Sequence, residues 1–155
     1  MSLATLVNML NQALLTLINL RYPGKLVTLA SAIRDYEGKP GDLNYQLNNP
    51  GDCRPSPDGY LAKYEPVVII NTNTNPQYPY NKGSFAMFPT YAIGWTYLLN
   101  LLQNKIEAHP NWTLNDLMAA YAPGTNGNAP LVYAASLGRS LGVDASTYQI
   151  KNILV

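Results

Sequence analysis

Proline and glycine cut this chain at Tyr22-Pro23-Gly24, at Gly38-Lys39-Pro40-Gly41, at Pro89, at Pro123-Gly124 and at Gly142. Between most of the cuts, apolar residues recur at three-four spacing, which restricts the chain mainly to short helices joined by sharp turns. Residues 3–20 predict an amphipathic helix. Leu3, Leu6, Val7, Leu10, Leu14, Leu17 and Ile18 share one side, and Asn8, Asn11, Gln12, Thr16 and Asn19 lie largely on the other. A second helix is expected from about Leu26 to Tyr36, with Leu26, Leu29, Ala30 and Ile33 on one face. Three more follow. One starts after Thr90, a candidate N-cap. One opens at Thr113, where Thr113 and Asp116 resemble a capping box with Asp in place of Glu or Gln. One covers about Pro130 to Leu141 and is closed by Gly142. The β-branched run at residues 66–72 and the segment 84–88 read as two strands of a small antiparallel ribbon. Residues 42–60 and 73–82 read as loop, and Ile150 to Val155 as a strand or a loose end.

The chain of 155 residues suits one domain with a sizeable core. Its 47% hydrophobic and 12% charged content excludes disorder, which needs the opposite balance. A net charge of +1 and the lack of any Lys/Arg run exclude a nucleic-acid footprint. The run 3–20 carries no charge, as a membrane span would. Its Asn and Gln amides would be costly in lipid, however, and neither a basic leader nor a cleavage site accompanies it. Packing against the protein's own domain or a neighbouring subunit is therefore expected, with membrane contact as the alternative. The single cysteine, Cys53, excludes an internal disulfide and a Cys-based metal site, and the single histidine, His109, excludes a His pair for zinc. No metal and no cofactor are expected. Twelve Tyr against two Phe suit wet, amphipathic surfaces such as sugar sites or protein interfaces, or else rigid loops packed by Tyr. Asn111-Trp112-Thr113 matches a glycosylation sequon, but a helix cap at Thr113 accounts for it better.

One carboxylate stands out. Glu37 falls at the end of the second helix with a glycine directly after it. The helix dipole disfavours negative charge there, which is a poor setting for a surface Glu and a good one for an acid of raised pKa. Asp35 lies two residues away, on another helix face, and does not pair with it. A solvated Glu is the alternative reading. A Cys53–His109 dyad has no support in either local sequence; a structural buried Cys fits better.

Four motifs in order carry a resemblance. They are Tyr36-Glu37-Gly38 followed by Asn48-Asn49-Pro50-Gly51-Asp52-Cys53-Arg54, then Gly83-Ser84-Phe85-Ala86-Met87-Phe88-Pro89-Thr90 with Gly94 beyond it, then Tyr121-Ala122-Pro123, and finally Tyr133 with Leu141-Gly142-Val143. From about residue 28 to 145 the chain resembles the lysozyme-like domains of phage virion proteins and related lytic transglycosylases. It departs from their pattern at Asp52 and Cys53, where Asn and Leu are usual, and at the inserted Ser84. The resemblance implies an α+β, mainly helical fold of the goose-lysozyme or transglycosylase type, with a small β-ribbon. Residues 1–22 would be an N-terminal amphipathic helix for packing or anchoring, and residues 23–155 a peptidoglycan-cleaving domain. Glu37 would be the single catalytic acid for the β-1,4 bond after N-acetylmuramic acid, because Asp42, Asp52 and Asp58 all fall on loops and none is clearly placed as a second carboxylate. Asn49, Phe85 and Ala86 would line the sugar cleft and Tyr121 would orient Glu37. Asn48 and Asn49 fit ligand contact and loop closure equally well. Phe88 and Trp95 read as core. The implied partner is the peptidoglycan glycan strand, and the implied setting a virion acting at the bacterial cell wall. The competing reading is a virion or assembly protein that keeps the fold with little or no activity, docking through the N-terminal helix; a glycan-binding module is a third.

Overall fold

The computed structural model describes residues 1–53, 68–71, 84–124 and 128–155. Arg54, Asp58, the ends of the expected 66–72 strand and the 73–82 turn lie outside the described residues. The fold is mainly helical. Helices α1 (Leu3–Asn19), α2 (Gly24–Glu37) and α3 (Leu43–Gln46) precede strands β1 (Val68–Asn71) and β2 (Ser84–Met87). Helices α4 (Tyr91–Ala108), α5 (Leu114–Tyr121) and α6 (Pro130–Leu141) follow, and a 3-10 turn at Ile150–Ile153 closes the chain.

α4 is the central element. It buries Trp95, Tyr97, Leu98, Leu99, Leu102 and Ile106, and so is covered on most of its circumference. Leu26, Leu29, Ala30 and Ile33 lie on α2, which packs against α4 and also against α6; α6, with Tyr133, Ala134 and Leu137, packs in turn on α5, which adds Leu114, Leu117 and Met118, and all of these side chains join one continuous core. The helix ends follow from sequence. Thr90 accepts from the Ile93 amide, and Thr113 and Asp116 form the reciprocal capping box. Pro130 occupies the first turn of α6, and Gly142 ends that helix at φ 70°, a left-handed conformation suited to glycine.

Three expectations change. The 42–60 loop contains a turn of helix, α3, too short to leave a periodic signal. The tail is neither strand nor loose end: Ile150 and Ile153 are fully buried from a 3-10 turn, and Gln149 bridges to Thr113. The third concerns α1. Among the described residues its C-terminal end meets the body, through Leu15 and Ile18, an Asn19 Oδ1 that accepts from Trp95 Nε1 at 2.7 Å, and the Tyr22 hydroxyl that donates to Asn100 at 2.7 Å. Of the expected packing face Ile18 meets the body, while the rest is exposed on the single chain, with Leu3 77% and Leu17 63% exposed. No helix among the described residues is long and apolar enough to cross a membrane.

β1 and β2 pair antiparallel with Ile69 opposite Ala86. The other edge of β2 is occupied by the loop that follows α3. The Ala86 amide donates to Cys53 O at 3.1 Å, and the Phe88 amide donates to Leu47 O at 3.0 Å. Residues 47–53 thus run along β2 as an irregular third edge, and this attachment brings them to the end of α2.

Candidate active site

Glu37 is the last residue of α2 and is half-buried. Its carboxylate is held from across the core. The Tyr133 hydroxyl, on α6, donates to Glu37 Oε1 at 2.6 Å. A charge-assisted bond of this length offsets part of the cost of negative charge at a helix C-terminus. Tyr133 is buried, and burial, followed by the Glu37 charge and the hydrogen bond to it, pushes its phenol far above the ordinary value. Its hydroxyl is therefore a neutral donor at neutral pH. Two more tyrosines frame it. The Tyr36 ring stacks on it at 3.8 Å and 12°, and the Tyr121 ring meets it edge-on at 6.5 Å.

The expected orienting residue is corrected. Tyr121 does not hydrogen-bond Glu37; its hydroxyl donates to Gly51 O at 2.7 Å and lies 3.9 Å from Cys53 Sγ. Its single proton is committed to the loop. The chain offered no local signal to separate the two tyrosines, but Tyr133 shares the buried face of α6 with Ala134 and Leu137. A tyrosine on such a face must find a partner for its hydroxyl, and a carboxylate at a neighbouring helix end is one.

The loop asparagines are turned inward. Asn49 is fully buried; its Nδ2 donates to Cys53 O and Ala86 O, both at 2.9 Å, and its Oδ1 accepts from the Cys53 amide at 2.8 Å. Loop closure uses three of its bonds and leaves its amide facing the protein. Asn48, in a left-handed conformation at φ 53°, donates to Phe88 O at 3.0 Å. Ala86 is buried too, and its backbone groups are spent on the same loop. Of the residues expected to line a sugar cleft, Phe85 is the one left half-buried. Phe88 and Trp95 are core, as expected.

The loop is seated on α4 through Gly94. A Cβ built there would overlap the Asn48 carbonyl oxygen and lie 3.0 Å from its carbon. Below the loop, burial pushes the Cys53 thiol up to about 12, with the nearby Glu37 and Asp52 charges adding to the effect. Cys53 has Asn49 and Tyr121 as polar neighbours, whereas His109 stacks on Trp112 at 3.8 Å, so these two side chains do not form a dyad. Asp35 pairs with Arg34 at 2.8 Å, and Asp42 caps the α2–α3 turn by accepting from the Lys39 amide at 2.9 Å. Among the described residues no group of His, Cys, Asp and Glu side chains is disposed to hold a metal ion.

One residue had no sequence-level signal at all. Asn44 of α3 is 1% exposed, and neither atom of its amide has a hydrogen-bond partner among the described residues. It sits against Gly38, where a Cβ would meet Asn44 Oδ1 at 2.5 Å. The backbone of this glycine, at φ 171°, is extended and open to any residue, so a larger side chain there would meet no backbone penalty but would have to displace the Asn44 amide.

Comparison with protein-family models, with curated proteins and with solved structures finds no match to this chain.

Proposed function

We propose that this chain is a lysozyme-like enzyme of the goose-lysozyme or transglycosylase type. It cleaves the β-1,4 bond between N-acetylmuramic acid and N-acetylglucosamine, with Glu37 as its single catalytic carboxyl. The observation that carries the reading is the Tyr133–Glu37 hydrogen bond, which fixes a half-buried carboxyl at the end of α2 beside a loop tied to β2. The sequence resemblance supplies the substrate class. The protonated carboxyl of Glu37 gives its proton to the bridging oxygen as the bond from that oxygen to C1 of the muramic acid breaks. The substrate's own N-acetyl oxygen stabilises the positive charge left at C1, which removes the need for a second carboxylate placed across the sugar. The Glu37 carboxylate then takes a proton either from water, giving a reducing end, or from the muramic 6-hydroxyl, giving a 1,6-anhydro end. Tyr133 keeps the carboxyl oriented through both steps. The setting that follows from the resemblance is a phage virion opening the cell wall locally.

The test is digestion of purified peptidoglycan, read by mass analysis of the released muropeptides. Wild type releases them and Glu37→Gln does not. A wild-type chain without products would sink the enzyme reading, and full activity in Glu37→Gln would sink the site. A second reading, a structural virion or assembly protein, is favoured by α1. Leu3, Val7, Leu10, Leu14 and Leu17 follow heptad spacing and are exposed. A large stable assembly of the purified chain together with no muropeptide release supports that role instead.

A further inference from the structure

Tyr36 is the most exposed of the tyrosines around Glu37, at 43%, yet it is not a loose side chain. Its inner face lies on the buried Tyr133 ring at 3.8 Å and 12°, and Tyr133 is itself held by its bond to Glu37. The Tyr36 hydroxyl makes no hydrogen bond among the described residues, and with its inner face stacked on Tyr133 the exposed part of the ring lies on its outer face and edge. A large aromatic ring that is fixed on one side and bare on the other is a flat, pre-ordered surface. Ordering entropy is already spent, so a ligand lying on it loses little more.

We propose that the outer face of Tyr36 is a stacking platform for an N-acetylhexosamine ring next to the bond cleaved at Glu37. This rests on the glycan-cleaving reading and names a binding position for it. In a β-1,4-linked sugar of glucose configuration the hydroxyls and the N-acetyl group are equatorial. The axial C–H groups therefore form an apolar patch on each face of the ring, and they carry partial positive charge. The face of an aromatic ring carries the complementary negative potential. Tyr36 precedes Glu37 on the same helix, so the platform and the acid are fixed relative to each other by one turn of α2 and by their shared contact with Tyr133. The sugar on Tyr36 would be a neighbour of the one attacked. Its role is to hold the strand in register, so it acts on affinity more than on the chemical step.

The experiment uses soluble, peptide-free glycan strands of alternating N-acetylglucosamine and N-acetylmuramic acid. They are titrated calorimetrically into Glu37→Gln, which binds without turnover, and into the same chain carrying Tyr36→Phe, Tyr36→Trp or Tyr36→Ala. Phe and Trp keep the flat face and hold affinity within about threefold, while Ala weakens binding by about tenfold. In the active background Tyr36→Ala raises KM by a similar factor and leaves kcat within about twofold. The platform is overturned if Glu37→Gln binds strands and Tyr36→Ala in that background binds them equally well. A lowered kcat with KM unchanged also overturns it, because Tyr36 would then act only by supporting Tyr133. If neither wild type nor Glu37→Gln engages strands at all, the glycan-cleaving reading fails and the platform falls with it.

Discussion

Gly94→Ala tests how the site is assembled, because in an ordinary helix the same change stabilises. Removing backbone freedom from an interior helical glycine gains about 1 kcal/mol. At position 94 the new methyl group would overlap the Asn48 carbonyl oxygen and press on Phe88 Cδ2 at 3.1 Å. The oxygen belongs to backbone, so it cannot be moved by a rotamer change. To recover an ordinary separation near 3.5 Å the loop must retreat by roughly 1 Å or more. That movement strains the Asn48-to-Phe88 and Phe88-to-Leu47 hydrogen bonds, both 3.0 Å. Overpacking costs about 1–3 kcal/mol and two weakened hydrogen bonds about 2 more, so the net loss is about 2–4 kcal/mol. For a chain of this size that lowers Tm by roughly 5–15 °C, read by circular dichroism. Gly24→Ala is the control. It lies in the first turn of α2 with nothing within 4 Å of a built Cβ, and it leaves Tm unchanged or raises it by a few degrees. The displaced loop also moves Gly51, the acceptor for Tyr121, so activity on peptidoglycan falls by about 10²-fold. A Gly94→Ala protein that melts with or above Gly24→Ala would refute the seating of the loop on α4.

The tyrosine cluster and the thiol make three more outcomes checkable. Tyr133→Phe keeps the ring that Tyr36 stacks on and removes the donor to Glu37, so kcat falls about 10- to 100-fold with little change in KM, and the limb of the pH–rate profile set by the carboxyl moves to higher pH; an unchanged profile would show that the bond does not orient the acid. Cys53, pushed up to about 12 by burial, reacts with a thiol reagent near pH 8 only after unfolding, orders of magnitude more slowly than a free cysteine. The sign of its linkage is that of a raised group. Its contribution to stability is complete below the unfolded value of 9.0 and is lost as pH rises from there through about 12, so wild type loses stability faster than Cys53→Ala over that window. Equal slopes in alkaline urea titrations would contradict it.

The helices of the body were legible because each is long enough to repeat its apolar spacing and carries a local stop signal. Thr90, Thr113 with Asp116, and Gly142 act through bonds within one turn, so the sequence nearby is enough to place them. α1 was legible as a helix but not in its docking. Its apolar stripe predicted packing against the body or a neighbouring subunit, while the contacts within the chain come from one stripe residue, Ile18, together with Leu15 and the Asn19–Trp95 bond, whose partner is far along the chain. The same limit applies at the site. Glu37 could be singled out from its helix end and the glycine after it, but the residue that holds it belongs to another helix, and the resemblance pointed to Tyr121 where packing supplies Tyr133. Asn49 was ambiguous for a different reason. An Asn in a Pro-Gly loop serves loop closure and ligand binding with the same atoms, and only its three bonds to Cys53 and Ala86 decide.

The case for a site between Glu37 and Asp52 also rests on where the chain breaks its own rules. Elsewhere among the described residues the core is apolar, and α1, α4 and α5 carry side-chain N-caps. Within this one stretch a carboxylate sits at the wrong end of a helix dipole, Asn48 and Asp52 take left-handed conformations at φ 53° and 46°, and the buried amide of Asn44 has no hydrogen-bond partner among the described residues. The helix-end charge costs about 0.3–1 kcal/mol and the unbonded buried amide about 1–3 kcal/mol, while Asn and Asp tolerate the left-handed region better than most residues. Such a cluster beside one carboxyl is what the proposed active site would lead one to expect, since rule-breaking is tolerated where chemistry needs it. The glycines fit this reasoning. Asn44 approaches Gly38 and Asn48 approaches Gly94, so the fold gives up side chains at both places to bring this stretch against α2 and α4.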